Sequence, residues 1–267
     1  MNPLGAVYGR AAAWRRAWYT RHPERRVRLP RPVISIGNLV VGGSGKTPLA
    51  VHVAELLLEA GLRPGILSRG YGRRTVTTAP LVVSDGSRVL ATVQASGDEP
   101  QMLARLLPGV PVVVCARRAE AGRLAIERFA PDVLLLDDGF QHLELWRDLD
   151  LLVVSPGDLE SRLLPAGPLR EPLAAARQAH ALVVPGTVDD AARLSRALRV
   201  APAFALARQI GRPRLLPPDG GAPSAGAGGH LPPAILPGAL DPPGGAVLVV
   251  AGIARPQRFV AALRENA

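Results

Sequence analysis

A β-branched apolar run, Val33-Ile34-Ser35-Ile36, leads into Gly42-Gly43-Ser44-Gly45-Lys46-Thr47, and an apolar-periodic stretch follows from Pro48 to Ala60, stopped by Gly61. Strand, glycine turn and helix in this order commit the segment to a phosphate-binding loop. Backbone N–H groups at the helix start wrap a phosphate chain, a lysine ammonium reaches between the phosphates, and the Thr hydroxyl holds Mg²⁺. Lys46 is the single lysine beside 31 arginines, so the chain uses a compact ammonium only here. The usual pattern, G-x-x-x-x-G-K-[ST], would start at position 40, where this chain has Val40. Gly42, Gly43, Ser44, Gly45, Lys46 and Thr47 are thus the candidate nucleotide-binding residues. Guanine-specific relatives of this loop generally read the base with an Asn/Thr-Lys-x-Asp strand end, which a chain without a second lysine cannot build, so ATP is expected over GTP.

Short apolar runs recur at 33–37, 64–68, 110–115, 131–137, 149–154, 180–185 and 246–252. Helical patterns lie between them at 46–60, 98–107, 117–129, 170–178, 189–199 and 255–264. Such alternation predicts an α/β fold, a mostly parallel sheet flanked by helices. Residues 73–96 read instead as a β-hairpin about Asp85-Gly86. From Pro217 to Gly245 Pro, Gly and Ala dominate, and a long loop is expected. The 267 residues are divided as a basic segment 1–31, a nucleotide-binding domain 32–150 and a second, smaller α/β domain 151–267, which looks incomplete because the chain stops at Ala267, just past a strand–helix unit. The lone Cys115 sits in an apolar run and reads as a buried strand residue of a protein in a reducing compartment. No run approaches the roughly eighteen apolar residues that span a bilayer, and Arg10, Arg15 and Arg16 break up any signal-peptide core.

Charge is concentrated at the start. Residues 1–31 hold eight Arg against Glu24 alone, a net +7 of the chain's +10. Leu4, Val7, Ala11, Trp14 and Trp18 recur there at helical spacing, with Tyr8 and Tyr19 nearby. This is the composition of a basic amphipathic helix lying on an anionic bilayer, or of a helix packed on the protein body with its arginines in water. The excess is local and no aromatic-basic reading surface follows, so no nucleic-acid partner is expected.

Leu134-Leu135-Leu136-Asp137-Asp138 is a buried strand ending in two acids, the place where such folds hold Mg²⁺. Gly139-Phe140-Gln141-His142 follows directly. Ser68-Arg69-Gly70-Tyr71 ends the second strand and belongs at the same sheet edge, where Arg69 is placed to hold a phosphate. Gly97-Asp98-Glu99-Pro100 opens a helix: Asp98 reads either as its N-cap or as a base accepting a proton from an attacking hydroxyl. Arg117-Arg118 starts another helix after a strand end, and Leu169-Arg170-Glu171-Pro172 makes a further charged turn.

In order along the chain, Ser35-Ile36-Gly37-Asn38-Leu39, Gly42 to Pro48, Ser68-Arg69-Gly70-Tyr71, Gly97 to Pro100, Asp137-Asp138-Gly139-Phe140-Gln141-His142, Gly167 to Pro172 and Ala251-Gly252-Ile253-Ala254-Arg255-Pro256 resemble the tetraacyldisaccharide 4'-kinases of Gram-negative bacteria. Even the non-glycine at position 40 fits that family. The resemblance implies ATP- and Mg²⁺-dependent phosphorylation of the 4'-hydroxyl of a tetraacyldisaccharide 1-phosphate in lipid A biosynthesis. It implies a peripheral protein on the cytoplasmic face of the inner membrane, held through residues 1–31, and a monomer is expected. By the match, Lys46 and Thr47 handle the phosphates and Mg²⁺, Asp137 and Asp138 form the metal site, and Asp98 activates the sugar hydroxyl. Arg69, Arg118, Gln141, His142, Arg170 and Glu171 line the substrate or phosphate site. Family members continue past the Gly-Ile-Ala turn through an Asp-His pair and a later Lys-Asp motif, so a shortened chain is expected here. Two other readings stand beside this one: an ATPase or GTPase of the metallochaperone or partitioning type, and a membrane-bound remnant of the kinase with impaired catalysis.

Overall fold

The structure, a computed structural model, describes residues 3–73 and 79–207. The chain divides into two compact units, residues 1–207 and 208–267, and every described residue belongs to the first. The expected loop at 217–245, the strand at 246–252, the helix at 255–264 and the Ala251–Pro256 turn lie outside the described residues.

Helix α1 (Pro3–Arg21) precedes strand β1 (Val33–Asn38), helix α2 (Lys46–Glu59), strand β2 (Pro64–Ser68) and strand β3 (Leu81–Asp85). The short helix α3 (Val93–Ser96) and helix α4 (Asp98–Leu106) lead to strand β4 (Pro111–Val114), helix α5 (Arg118–Phe129), strand β5 (Val133–Asp137) and strand β6 (Leu149–Val153). Strand β7 (Ala181–Pro185), helix α6 (Val188–Leu198) and strand β8 (Ala203–Leu206) complete the described part. All eight strands join one sheet in the order β3-β4-β2-β5-β1-β6-β7-β8, parallel throughout except for β3 against β4. Strands β2, β4 and β5 are buried along their whole length, which explains their unbroken apolar runs. Alternate residues of β5 serve opposite layers. Leu135 packs with Ile36, Leu49, Ala54 and Leu103 on one face, while Leu134 and Leu136 pack with Leu67, Val113, Ala121 and Ala125 on the other.

Three expectations change in detail. In the hairpin expected at 73–96, strand β3 pairs antiparallel to β4, and the return across Asp85-Gly86 is held among the described residues by a Ser84–Val89 bridge and by Leu90 N–H donating to Val83 O (2.8 Å); residues 74–78 lie outside the described part. The helix expected over 170–178 is a 3₁₀ turn, Leu173–Gln178, because Pro172 cannot continue an α-helical backbone from Glu171. The boundary expected after residue 150 falls inside β6, which pairs with β1 from Ile34 to Asn38, and β7 and β8 extend that same sheet. Cys115 is buried, directly after β4.

The sheet order decides where chemistry can sit. β5 and β6 flank β1, so Asn38 ends its strand beside Asp137, with Ile36 in register with that acid. The chain leaves β1 toward β2 and β4 on one side and reaches β6, β7 and β8 on the other. A crevice at the carboxyl ends of strands opens at such a reversal.

No helix among the described residues is long and apolar enough to cross a membrane. Helix α1 instead shows two unlike faces. Leu4, Val7 and Trp14 are 65%, 64% and 67% exposed, whereas Gly5, Gly9 and Arg16 are buried. A methyl group on Gly9 would come within 2.6 Å of Leu163 Cδ1, so the absent side chain sets how closely the helix approaches the body. Trp18 lies edge-on to Tyr19 and stacks on His22, each at 4.9 Å between ring centroids.

Candidate active site

Helix α2 begins at Lys46, preceded by Gly45 at φ +88° and Gly42 at φ +106°. Both conformations favour glycine and turn the chain so that the helix N-terminus faces the strand ends. The loop is also braced from outside. Val41 N–H donates to Pro168 O (2.8 Å), and Arg170 N–H donates to Leu39 O (2.7 Å), so a strap over residues 161–172 lies along the glycine turn. Val40 bridges Leu169 in that strap and is buried, a structural use for a side chain where the general pattern has glycine.

Asn38 is the hub of the polar network. Its Nδ2 donates to Ser44 Oγ (2.7 Å), and its carbonyl oxygen accepts from Gln141 Nε2 (2.9 Å). Its Oδ1 accepts from Lys46 Nζ (3.3 Å) and from Arg170 Nη2. Lys46 Nζ also stands 3.5 Å from Asp138 Oδ1. Arg170 grips both oxygens of Asp138, Nη1 to Oδ2 at 2.9 Å and Nη2 to Oδ1 at 2.8 Å, the planar two-point contact that a guanidinium makes with a carboxylate. Burial pushes the Asp138 carboxyl up, but the Arg170 hydrogen bonds and the charges of Lys46 and Arg170 outweigh it and hold the group at about 2. Asp138 adopts φ +52°, a left-handed conformation rare outside glycine, so the turn points it back toward the loop.

Asp137 is the opposite case. It is 2% exposed, and its one hydrogen bond among the described residues, from Ser68 Oγ to Oδ2, is long at 3.5 Å. Oδ1 is buried without a partner. Burial above all pushes its carboxyl up to about 7, with Glu99 and Asp138 adding to the rise and Lys46 and Arg118 opposing it. A buried, under-bonded carboxylate at a strand end suits a cation. Among the described residues no cluster of three or more His, Cys, Asp or Glu forms a self-sufficient metal site. A cation here would draw on Asp137, Asp138, the Thr47 hydroxyl and oxygens of a bound phosphate.

The remaining expected residues divide. Arg118 is buried, donates from Nη1 to Ala116 O (2.8 Å) and leaves its Nε unpartnered. Burial first, then the positive charge of Arg69, lowers its guanidinium to about 10, while the charges of Asp138 and Asp137 oppose the fall. Arg69 itself is exposed. Burial, then the charges of Arg118, Arg147, Arg15 and Arg69, holds the His142 imidazole at about 3, so it is neutral at physiological pH. Gln141 spends its amide NH₂ on the Asn38 carbonyl and keeps Oε1 buried and unpartnered. Asp98 is the first residue of α4, not its cap: Gly97 takes the cap position at φ +91°, where a methyl group would lie 2.3 Å from Tyr71 O. Asp98 is exposed, and among the described residues no hydrogen bond or ion pair joins it to Lys46, Asp137 or Asp138. Glu171, expected at the substrate or phosphate site, is buried and gives both oxygens to Arg16 of α1, with Arg16 Nη2 to Glu171 Oε1 at 2.8 Å.

Two contributors had been passed over in the sequence: Asn38, and Glu99, whose charge acts on Asp137. Asn38 was detectable as an amide closing an apolar strand immediately before the glycine turn. Glu99 had no signal apart from adjacency to Asp98.

The sequence signature described as tetraacyldisaccharide-1-P 4'-kinase matches residues 1–267. The chain is 46% identical over 182 residues to the tetraacyldisaccharide 4'-kinase of Aquifex aeolicus, a match covering 68% of this chain and 56% of that protein. It is 42% identical over 282 residues to the enzyme of that name from Anaeromyxobacter sp. (strain K), covering 98% of this chain and 70% of the relative. The fold is similar to the crystal structure of LpxK from Aquifex aeolicus in complex with ATP, with a TM-score of 0.65 and 45% identity over 68% of this chain and 56% of that one. The chain thus spans between 56% and 70% of the length of these relatives. With the signature matched from end to end and the Asn38–Lys46–Asp138 network set at the sheet edge, this chain is a member of the tetraacyldisaccharide 4'-kinase family.

Proposed function

We propose that this chain transfers the γ-phosphate of ATP to the 4'-hydroxyl of a tetraacyldisaccharide 1-phosphate, at the cytoplasmic face of the bacterial inner membrane. The observation that carries the reading is the junction of Lys46, Asn38, Asp138 and Arg170 beside the unpartnered oxygen of Asp137, at the N-terminus of α2. Phosphoryl transfer asks little covalent chemistry of a protein; it asks for position and for positive charge around the moving group. Gly42 to Gly45 and the first turn of α2 would cradle the β- and γ-phosphates, with Lys46 between them. Asp137, Asp138 and Thr47 would hold Mg²⁺, which when bound neutralises charge on the phosphate oxygens. The acceptor oxygen forms a new bond to the γ-phosphorus, the bridging bond to ADP breaks, and the hydroxyl proton passes to the Asp98 carboxylate. Arg69 and Arg118, two cations near enough for one to act on the other, would hold an anionic part of the substrate.

The test is transfer from labelled ATP to tetraacyldisaccharide 1-phosphate in mixed micelles. The wild-type chain is expected to phosphorylate the lipid, and Asp98→Ala to lose ~10²–10⁴-fold in kcat with ATP affinity retained, the usual range for removing a general base. A folded wild-type chain that binds ATP and transfers nothing would refute the reading.

The exposed stripe of α1 supports membrane docking. Leu4, Val7 and Trp14 face outward on a helix that also carries Arg10, Arg15 and Arg21. Replacing those three apolar residues with Ser should reduce co-sedimentation with anionic phospholipid vesicles ~10-fold or more, from the burial of three large side chains. Unchanged vesicle binding would argue that another surface docks.

A further inference from the structure

Arg16 has an unusual position for an arginine on an N-terminal helix. It lies on the inward face of α1, 3% exposed, and its guanidinium reaches three separate segments. Nη2 donates to Glu171 Oε1 (2.8 Å) and to Phe140 O (2.8 Å), Nε donates to Glu171 Oε2 (2.5 Å), and Nη1 donates to Gln178 Oε1 (3.3 Å). Its guanidinium carbon also sits 4.1 Å from the centroid of the Phe140 ring. Phe140 is two residues beyond Asp138, and Glu171 is the neighbour of Arg170. One side chain therefore ties together the two loops whose tips meet as the Arg170–Asp138 pair.

The neighbouring contacts follow the same route. Tyr8 Oη donates to Arg170 O (2.9 Å), and Arg15 Nη1 donates to Gln141 O (3.0 Å). Gly37 leaves no room for a Cβ, which would lie 2.5 Å from Phe140 Cβ, so the Phe140 loop is pressed directly on β1 beside Asn38. On the other side, the strap that carries Glu171 bonds the phosphate loop through Arg170 N–H and Val41 N–H. A buried ion pair is a poor way merely to attach a helix, since well-packed apolar side chains hold as well without removing two charges from water. What a guanidinium adds is geometry: a planar fork that bonds a carboxylate at two points and still has an N–H for a carbonyl on another loop.

We propose that Arg16 is a positioning residue: through Glu171 and the Phe140 carbonyl it holds the strap and the Asp138 turn in the register that aligns Arg170 with Asp138 and Asn38 at the phosphate loop. The catalytic consequence rests on the kinase reading above; the mechanical one does not. It also follows that α1 joins its outward apolar stripe to the site by one rigid element, so its seating bears on the geometry of the phosphate loop.

The test compares the full wild-type chain with Arg16→Lys. The lysine keeps a positive charge beside Glu171, so no unpaired carboxylate is left buried, but a point ammonium cannot bond Glu171 at two points and reach Phe140 O as well. Backbone amide exchange is measured first. The amides of Val41 and Arg170 should exchange ~10-fold faster in Arg16→Lys, because local opening of the strap from the phosphate loop becomes easier. Phosphate transfer should lose ~10-fold in kcat with KM for the lipid little changed, and this loss should disappear in an Arg170→Ala background, the mark of two residues acting through one interaction. Faster exchange confined to α1, with Val41 and Arg170 unaffected, would overturn the proposal and leave Arg16 as an anchor of the helix alone. A wild-type chain without transfer would count against the kinase reading instead, and the exchange result would still decide the role of Arg16.

Discussion

A Lys46→Ala chain is expected to transfer phosphate at least ~10³-fold more slowly than wild type, from the loss of the charge that under the proposed function meets the moving phosphate at a desolvated site. Two features make the effect large. Lys46 is the only lysine in the chain, so no neighbouring ammonium can substitute for it. Its Nζ is already aimed by Asn38 Oδ1 at 3.3 Å and Asp138 Oδ1 at 3.5 Å, with the side chain 12% exposed, so the charge is placed before any nucleotide arrives. Arginine should not restore it. A planar guanidinium on a longer stem does not fit between phosphates where a compact ammonium does, and Arg170 already occupies the space on Asp138 that a second fork would need. The fold should survive, because Asp138 keeps two hydrogen bonds from Arg170 when Lys46 is gone. Equilibrium binding of ATP together with single-turnover transfer checks the expectation. A Lys46→Ala chain within tenfold of wild type would remove Lys46 from the reaction.

The parts of this molecule that were legible in the sequence are those governed by neighbours along the chain. The end of β1, the glycine turn and the start of α2 are set by a run of β-branched residues, by glycines that take positive φ and by an apolar-periodic stretch, and their boundaries agree with the structure to within a residue or two. The buried strands β2 and β5 were equally plain, and the two acids at the end of β5 emerge beside β1 because parallel α/β sheets place the ends of neighbouring strands at one edge. Strand β8 was missed. Ala203-Phe204-Ala205-Leu206 is four residues long, follows Pro202 and has no pattern of its own; pairing with β7 makes it a strand. The family resemblance places Glu171 at the substrate or phosphate site, and the structure turns its carboxylate onto Arg16. The two partners are 155 residues apart, and no spacing rule connects them. The same holds for Asn38, whose four contacts come from the glycine turn, Lys46, the strap and the turn after β5. On α1, helical spacing gave the apolar stripe correctly, but the sequence left both faces eligible for the interior. Gly5 and Gly9 decide the matter, since they allow a closer approach to Leu163 and Leu164 than the bulky side could achieve.

Asp137→Asn should make the apo protein more stable and nearly abolish the proposed phosphate transfer. In the folded chain the Asp137 carboxyl titrates at about 7 against an ordinary value of 3.8. Between those two values the folded state holds a proton that the unfolded chain has released. Stability from this group is therefore present at low pH, falls as pH rises from about 4 to about 7, and is fully lost above that. At pH 8 the penalty is on the order of 4 kcal/mol, from ~1.4 kcal/mol per unit of displacement, and Asn, which carries no charge at any pH, escapes it. Asp138 behaves oppositely: held at about 2, it contributes stability above its ordinary 3.8 that disappears as pH falls toward 2. Acid unfolding should thus persist in the variant while the alkaline-side weakening goes. Thermal melts of the metal-free chains from pH 5 to pH 8 are the measurement. The wild-type midpoint should fall across that range, and the Asp137→Asn midpoint should stay level and lie above it at pH 8. Parallel curves would mean that Asp137 bears no such burden. Transfer should drop by ~10²-fold or more in the same variant, since under the proposed function the carboxylate that is costly to the empty fold is the one that would hold the cation at the phosphate loop. Nucleotide with Mg²⁺ should consequently raise the wild-type midpoint more at pH 8 than at pH 5, and raise that of Asp137→Asn little at either.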